Sequence, residues 1–239
     1  KYWPADIHCV GKDIFRFHAL LWPAMLIASG RPLPKNILVH GFITVAGQKM
    51  SKSLGNVIDP FELVRKYGTD PVRYFLLREI LPTEDGDYTE EKFIERYNAD
   101  LANGLGNLVA RVVTMAEKNS TPTPKGVGAP TRSVGEFKTI IKKTREECER
   151  LLNEYRFNEA LAEIWELISF CDKYIEEKKP WSLDLARDKQ EKIIGNLLLT
   201  IKEIAELLKP FLPETSDRIM QQIEANRSQP LFPRIDKSV

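Results

Sequence analysis

Two lysines near residue 50 are the side chains in this sequence best suited to chemistry on a phosphate. Lys49 and Lys52 lie three residues apart in a polar stretch of serines and glycines, directly after an alternating apolar run. Positive charge and small donors on a loop that can close over a substrate stabilise the oxyanion developing on a phosphoryl group. A solvated surface turn has the same spacing, so the two lysines alone leave both interpretations open.

A second group of candidates follows a short apolar run near the amino end. Gly11 at the end of a strand would let a ligand approach the backbone, and Asp13 could accept hydrogen bonds from ribose hydroxyls. Asp13 could equally be a helix N-cap. Ile14 and His18 are four apart and share a helix face, where core packing is the alternative to a ligand pocket.

A third group could recognise unpaired bases. Asn107 and Arg111 are four apart on one face of a long predicted helix, and Trp181 follows Pro180 between later helices. An amide both donates and accepts hydrogen bonds, a guanidinium pairs with a base edge or a phosphate, and an indole can stack on a base. A solvated polar pair, and a tryptophan that plugs the end of a bundle, are the structural alternatives.

The first elements of the chain predict an α/β unit that positions the first two groups. A strand over 7–10, a helix from 14 to about 29 and a strand over 37–45 form the βαβ unit of a parallel sheet. Ligands of such sheets bind beyond the carboxyl ends of the strands. Gly11 and the lysines both follow such ends.

The rest of the chain is predicted to be helical. Asp59-Pro60 and Asp70-Pro71 each predict the start of a short helix, and Thr89 predicts the cap of a long one. A stretch rich in Pro, Thr and Gly over 119–135 is expected to be a linker or surface loop. Three long helical patterns and a short helix over 215–225 follow, and their apolar faces predict a helical bundle.

Three separated motifs resemble one protein family. Lys49-Met50-Ser51-Lys52-Ser53 is similar to the signature loop of class I aminoacyl-tRNA synthetases, and its flanks resemble the members specific for methionine. The run from Gly11 to His18 is similar to an active-site segment of those enzymes. Gly106-Asn107-Leu108-Val109-Ala110-Arg111 and Pro180-Trp181 resemble their anticodon-reading positions, and the resemblance extends over about 2–222.

The resemblance implies roles in amino-acid activation for the first two groups. Lys49 and Lys52 would stabilise the phosphates of ATP, supplied with Mg²⁺, while the carboxylate of methionine attacks the α-phosphorus. Gly11 and Asp13 would hold the adenosine ribose, and the backbone near Ile43 would meet the adenine. The resemblance implies no metal site in these residues.

The resemblance also implies two specificity sites. Ile14 and His18 would line the methionine pocket. Asn107, Arg111 and Trp181 would read the CAU anticodon of the methionine tRNA. The implied partners are therefore tRNA, methionine and ATP, with no DNA and no membrane.

The expected fold class is the α/β remnant of a Rossmann-type class I synthetase catalytic domain, followed by an α-helical anticodon-binding bundle. We expect catalytic residues at 1–48, a stem-contact region with the lysine loop at 49–90, and the bundle at 91–239. The family's His-x-Gly-His motif is not in the sequence. The expectation is therefore the carboxy-terminal portion of a methionine-tRNA ligase, inactive alone. The alternatives are a synthetase for leucine, isoleucine, valine or cysteine, or a non-catalytic tRNA-binding protein derived from a synthetase.

Composition agrees with this class of protein. The formal net charge is +1, so contact with nucleic acid must use a local patch, and a general DNA-coating protein is disfavoured. Three cysteines, far apart and without a C-x-x-C pair, argue against a metal knuckle or disulfide framework and predict buried free thiols. No apolar run or signal-peptide pattern indicates a membrane or secretory route, so a cytoplasmic location is expected.

Overall fold

The computed structural model describes residues 3–119, 135–182 and 185–236. The linker expected over 119–135 therefore lies almost wholly outside the described residues. Within them, a small parallel sheet with its connecting helix leads through two short helices into a large helical bundle, in agreement with the expected fold class.

The amino-terminal unit is the predicted parallel βαβ arrangement. Strand β1 (Ile7–Gly11) pairs in parallel with β2 (Asn36–His40), with Gly11 opposite His40. The connection is helical over 12–28, where helix α1 (Trp22–Ala28) is the last part, and non-helical residues 29–35 lead into β2. Large apolar side chains of this connection are exposed, among them Phe17, Leu20 and Ile27.

The prediction of one strand over 37–45 is wrong. After β2 the chain turns away, and β3 (Ile43–Val45) joins a second sheet of order β4-β3-β5, with β4 at Gln48–Lys49 and β5 at Gly86–Tyr88. The cause is a close approach at Gly41, where a Cβ atom would lie 2.0 Å from the carbonyl oxygen of Glu84. The amide of Gly86 donates to the Phe42 carbonyl oxygen at 2.9 Å, so long-range pairing breaks the strand.

Two short helices follow, as predicted, but only one is capped as expected. Helix α2 (Pro60–Tyr67) begins at Asp59, whose carboxylate accepts a hydrogen bond from the Phe61 amide at 2.8 Å. Helix α3 (Thr69–Glu79) begins one residue before Asp70, so Asp70 is not its cap. The buried Asp70 carboxylate instead accepts from the amide of Thr215, 145 positions later.

One continuous helix of thirty residues begins after Thr89, which caps it as predicted by accepting from the Lys92 amide at 3.2 Å. It consists of α4 (Glu90–Arg96), a π-helical part at Tyr97–Gly106, named here the π segment, and α5 (Asn107–Asn119). The sequence pattern predicted the helix but not the π segment.

The bundle is completed by four further helices. They are α6 (Gly135–Asn153), α7 (Phe157–Lys178), α8 (Arg187–Leu208) and α9 (Pro213–Ala225). Their apolar faces pack with the long helix and α3 into one core. None of the described helices has the length and apolar character that crossing a bilayer requires.

The three cysteines are free, and two of them are buried as expected. Burial raises the pKa of Cys148 to about 11 and that of Cys171 to about 12, because the thiolate cannot be solvated in the core. Cys9, in contrast, is exposed, so its prediction as a buried thiol is wrong. Cys9 lies on β1 and lines a cavity that is open to solvent.

Candidate functional site

The lysine loop grows out of a short hairpin that is anchored to β5. The turn between β3 and β4 places Ala46 and Gly47 at positive φ, 50° and 74°. Asp87 accepts from the Gly47 amide at 2.7 Å and from the Thr44 hydroxyl at 2.8 Å. These two donors, with the nearby ammonium of Lys92, hold the pKa of Asp87 below its usual value of 3.8. The base of the loop is therefore fixed.

The loop itself is closed by Asn56. Its side-chain oxygen accepts from the Ser51 amide at 2.8 Å, and its side-chain nitrogen donates to the Lys49 carbonyl oxygen at 3.2 Å. The hydroxyls of Ser51 and Ser53 lie 2.7 Å apart. Lys52 begins a short 3-10 turn, but its side chain lies outside the described part of the structure.

Two ammonium groups meet at one aromatic ring beside this loop. The Nζ atoms of Lys49 and Lys12 each lie 4.6 Å from the centroid of the Phe42 ring. Lys12 also pairs with Asp85 at 2.5 Å, and Asp85 accepts from the Phe42 amide at 2.8 Å. The Lys12 ammonium, and then that amide, lower the pKa of Asp85. Two ammonium groups thus lie close together at Phe42, and the Asp85 carboxylate offsets the charge of one of them.

Lys12 was not among the predicted site residues. The signal that could have found it is its position, because it directly follows β1 and lies at the strand end where Gly11 was already a candidate. Its ion pair with Asp85 bridges 73 positions, which no local pattern indicates.

Of the four candidates near the amino end, Gly11 and Asp13 lie in direct contact. His18 lines a cavity, whereas Ile14 does not. A Cβ atom on Gly11 would lie 2.7 Å from a carboxylate oxygen of Asp13, so Gly11 makes room for that carboxylate. Asp13 lies within a 3-10 turn that has no side-chain cap, so it is not the N-cap. His18, whose Nδ1 is 3.1 Å from the Ile14 carbonyl oxygen, lines an open cavity of about 630 Å³.

Apolar side chains form most of that cavity. They are Ile7, Val10, Phe17, Leu21, Trp22 and Met25, with His8 and Cys9 also present. The exposed side chain of Ile14 is not among the residues that line it. Ile43 lies elsewhere, at the start of β3, where it is half-buried and opposite Gly86.

Arg111 and Trp181 are brought together on the bundle surface although they are 70 positions apart in sequence. The Arg111 guanidinium carbon lies 5.9 Å from the Trp181 ring centroid. The same guanidinium donates to Glu176 at 2.6 Å and to Asp172 at 3.5 Å. Trp181 is 51% exposed, so it does not plug the bundle end, whereas Pro180 before it is buried.

Asn107 lies one helical turn before Arg111 and is exposed. Spacing of four places both side chains on one face of α5. An amide, a guanidinium and a half-exposed indole on one surface suit an unstacked base, because the indole supplies a stacking plane and the polar groups supply donors and an acceptor. Burial raises the pKa of Asp172, although Arg111 partly offsets this effect.

No described group of His, Cys, Asp and Glu side chains could together hold a metal ion. The amino-terminal site places ammonium groups beside a carboxylate and an apolar cavity, an arrangement that suits a phosphate-bearing ligand. The bundle surface places a guanidinium beside a half-exposed indole, an arrangement that suits an unstacked base.

Two family profiles match the chain. Residues 1–113 match the profile described as tRNA synthetases class I (M), and residues 136–238 match the anticodon-binding domain of tRNA ligase. The methionine–tRNA ligase of Caldanaerobacter subterraneus is 40% identical over 99% of this chain and 41% of the relative. That of Thermotoga maritima is 40% identical over 93% of this chain and 36% of the relative.

A solved structure agrees over the same region. Mycobacterium tuberculosis methionyl-tRNA synthetase in complex with methionyl-adenylate is 34% identical and matches with a TM-score of 0.86, over 98% of this chain and 51% of that chain. The chain thus spans about 40% of the length of the curated relatives named above. By sequence and by fold, it belongs to the methionyl-tRNA synthetase family of class I aminoacyl-tRNA synthetases.

Proposed function

We propose that this chain is the part of a methionine-tRNA ligase that carries the lysine loop and reads the anticodon. The whole enzyme would activate methionine with ATP and transfer it to the methionine tRNA in the cytoplasm. The observation that carries this proposal is the approach of Arg111 to Trp181, at 5.9 Å, on the face that also bears Asn107. The names of the relatives favour methionine over leucine, isoleucine, valine or cysteine.

At the amino-terminal site, the activation step needs charge more than proton transfer. The carboxylate oxygen of methionine forms a bond to the α-phosphorus, the bond to the leaving pyrophosphate breaks, and no proton moves because the nucleophile is already ionised. Lys49 and Lys52 would stabilise the negative charge that develops on the phosphates. ATP would arrive as its Mg²⁺ complex.

The remaining active-site residues would position the substrates. The carboxylate of Asp13, folded back over Gly11, has the acceptor oxygens that ribose hydroxyls require. The apolar cavity beside His18 fits the thioether side chain of methionine. Ile14 has weaker support as a pocket residue, because it does not line this cavity. The adenine would meet the backbone near Ile43.

We propose that the chain consists of three functional units. Residues 1–48 would belong to the catalytic fold, 49–90 to the stem-contact region and 91–239 to the anticodon domain. The boundary near 48 crosses the hairpin of β3 and β4, which pairs with β5. This sheet would therefore link the lysine loop to both of its neighbouring units.

Filter binding tests the anticodon assignment on the 239-residue chain. Anticodon stem-loop RNAs would differ only in the anticodon, CAU against single-base variants. We expect the chain to prefer CAU, and Trp181→Ala and Asn107→Ala to reduce that preference. Loss of one stacking platform is worth about 1–3 kcal/mol, which corresponds to about 5- to 150-fold in affinity.

Trp22→Ala is the matched control, because Trp22 is also a partly exposed tryptophan but lies on α1, in the amino-terminal unit. It should leave the preference unchanged. Equal affinity of the unmodified chain for CAU and its variants, with uniform weakening as salt rises, would overturn the assignment and indicate a general RNA-binding protein instead.

A further inference from the structure

The ten residues directly before Asn107 form a π helix. The amide of Asn107 donates to two carbonyl oxygens, those of Ala102, five positions back, and Gly104, three positions back, where an α-helix would use the position four back. Most π-helical stretches are single turns inside α-helices, and they are frequent at functional sites. A stretch of ten residues, Tyr97–Gly106, therefore calls for a physical cause.

The spacing of the buried side chains supplies this cause. Phe93, Tyr97, Leu101 and Leu105 recur at a strict interval of four, and each is at most 5% exposed. In an α-helix of 3.6 residues per turn, each interval of four overshoots a turn by about 40°, so three intervals drift by about 120° around the axis. One extra residue accommodated over the whole stretch removes about 100° of this drift, and all four side chains stay in the core.

Gly106 allows this register at the end of the π segment. A Cβ atom there would lie 2.9 Å from the carbonyl oxygen of Leu101, five positions back, which is closer than such atoms approach. At Gly104 the nearest backbone oxygen, that of Ala99, would be 3.5 Å away, an ordinary contact. At Gly195, in α8, a Cβ atom would meet nothing within 4 Å.

The register at Gly106 determines where the following side chains point. A shift of one residue turns an α-helix by about 100° around its axis relative to the part before it. Asn107 and Arg111 follow Gly106 closely, and in the present register Arg111 donates to Glu176 at 2.6 Å and lies 5.9 Å from the Trp181 ring centroid.

We propose that Gly106 is a positioning residue for anticodon recognition. By permitting the π register, it directs Asn107 and Arg111 towards the surface that bears Trp181. This inference rests on the proposed function of that surface. Gly106 itself is buried, so it would act through Asn107 and Arg111 and not by direct contact.

Three alanine variants of the 239-residue chain test the inference in filter binding. In Gly106→Ala, both Asn107 and Arg111 would be misdirected, so the preference for a CAU stem-loop over a single-base variant should fall by at least about tenfold, the effect of losing one base contact. Gly104→Ala and Gly195→Ala are the matched controls and should retain the preference. Salt dependence should be the same for all three, because contacts to the RNA backbone are not altered.

A deletion variant distinguishes a role of Gly106 in the helix register from a role in packing against neighbouring side chains. Asn103 is exposed within the π segment, and its removal takes one residue out of the extra length. In this deletion background, Gly106→Ala should cause no further loss of preference, because an α register has no such clash. A role of Gly106 in packing against Phe232, 3.7 Å from the same Cβ position, would not be rescued in this way.

Each outcome decides the inference. If Gly106→Ala does not fold, restored folding in the deletion background supports the register and continued failure to fold overturns it. A folded Gly106→Ala chain with full preference, or an equal loss in both backgrounds, also overturns it. An unmodified chain without preference for CAU would instead refute the proposed function.

Discussion

Replacing Asp70 with alanine should loosen the attachment of α9 to α3. Asp70 is 2% exposed, and its Oδ2 accepts from the Thr215 amide at 2.6 Å. Thr215 is the third residue of α9 and is 1% exposed, so its amide has neither a partner within the helix nor access to water. Asp70 thus satisfies the start of a helix that lies 145 positions away.

The expected loss of stability follows from this geometry. A hydrogen bond to a charged group contributes about 1.5–3 kcal/mol, and a negative charge at a helix start adds about 0.3–1 kcal/mol. The other oxygen, Oδ1, is buried and finds no hydrogen-bond partner among the described residues, so its desolvation offsets part of this gain. We expect Asp70→Ala to cost about 2 kcal/mol, which lowers Tm by about 4–8 °C in a chain of this size.

Urea and thermal unfolding followed by circular dichroism measure this loss. Asp70→Asn keeps an acceptor oxygen and should lose less than Asp70→Ala. Asp59→Ala removes the exposed cap of α2 and should cost about 1 kcal/mol. If Asp70→Ala loses no more stability than Asp59→Ala, the attachment of α9 through this carboxylate is refuted.

Three further results are expected. The pKa of Asp87 is lowered in the folded chain, so the contribution of this carboxylate to folding stability is complete above pH 3.8 and is lost as pH falls through the lower folded pKa. Hydrogen exchange at the Gly47 amide, corrected for its intrinsic rate, should accelerate in that pH range because this amide donates to Asp87. Constant protection of the amide would contradict this expectation. In the folded chain, only Cys9 should react rapidly with a thiol reagent at pH 8, whereas all three thiols should react in denaturant; fast reaction of a second thiol would show that the core opens. Thr89→Ala should cost about 1 kcal/mol in urea unfolding, and an unchanged midpoint would show that this cap is unimportant.

Local signals in the sequence identified most helices but missed features set by long-range contacts. The caps at Asp59 and Thr89 and the apolar periodicity of the bundle depend on neighbouring residues, and the structure confirms them. The break after β2 depends on the approach of Glu84 to Gly41, and the role of Asp70 depends on its hydrogen bond from the Thr215 amide. These partners are distant in sequence, so a local reading could not anticipate them.

The π segment was missed for a different reason. Its signal, four apolar residues at a strict interval of four, was visible in the sequence, but it also fits the general pattern of an amphipathic helix. Only the angular drift accumulated over three intervals of four distinguishes a helix with a π-helical part from an ordinary amphipathic α-helix. The glycine at 106 is a second indication of the π-helical part.

The sequence could not predict all the contacts around the candidate sites. Resemblance of motifs selected Lys49 and Arg111 as candidates, but did not predict that Lys12 and Lys49 meet at the Phe42 ring. That meeting depends on how the two sheets adjoin. Similarly, spacing placed Asn107 on the same helix face as Arg111, whereas only the packing of the bundle brings Trp181 within 5.9 Å of the Arg111 guanidinium.

The indole N–H resonance of Trp181 gives the most direct test of anticodon reading. The chain has four tryptophans, so a ¹H–¹⁵N spectrum contains only four indole N–H signals. The signal that disappears in Trp181→Phe is that of Trp181. Addition of a CAU stem-loop should shift the Trp181 signal strongly and leave that of Trp22 in place, whereas a variant anticodon at equal concentration should shift Trp181 much less. An unmoved Trp181 signal with bound CAU RNA, or equal shifts with both RNAs, would contradict the proposal that this surface reads the anticodon.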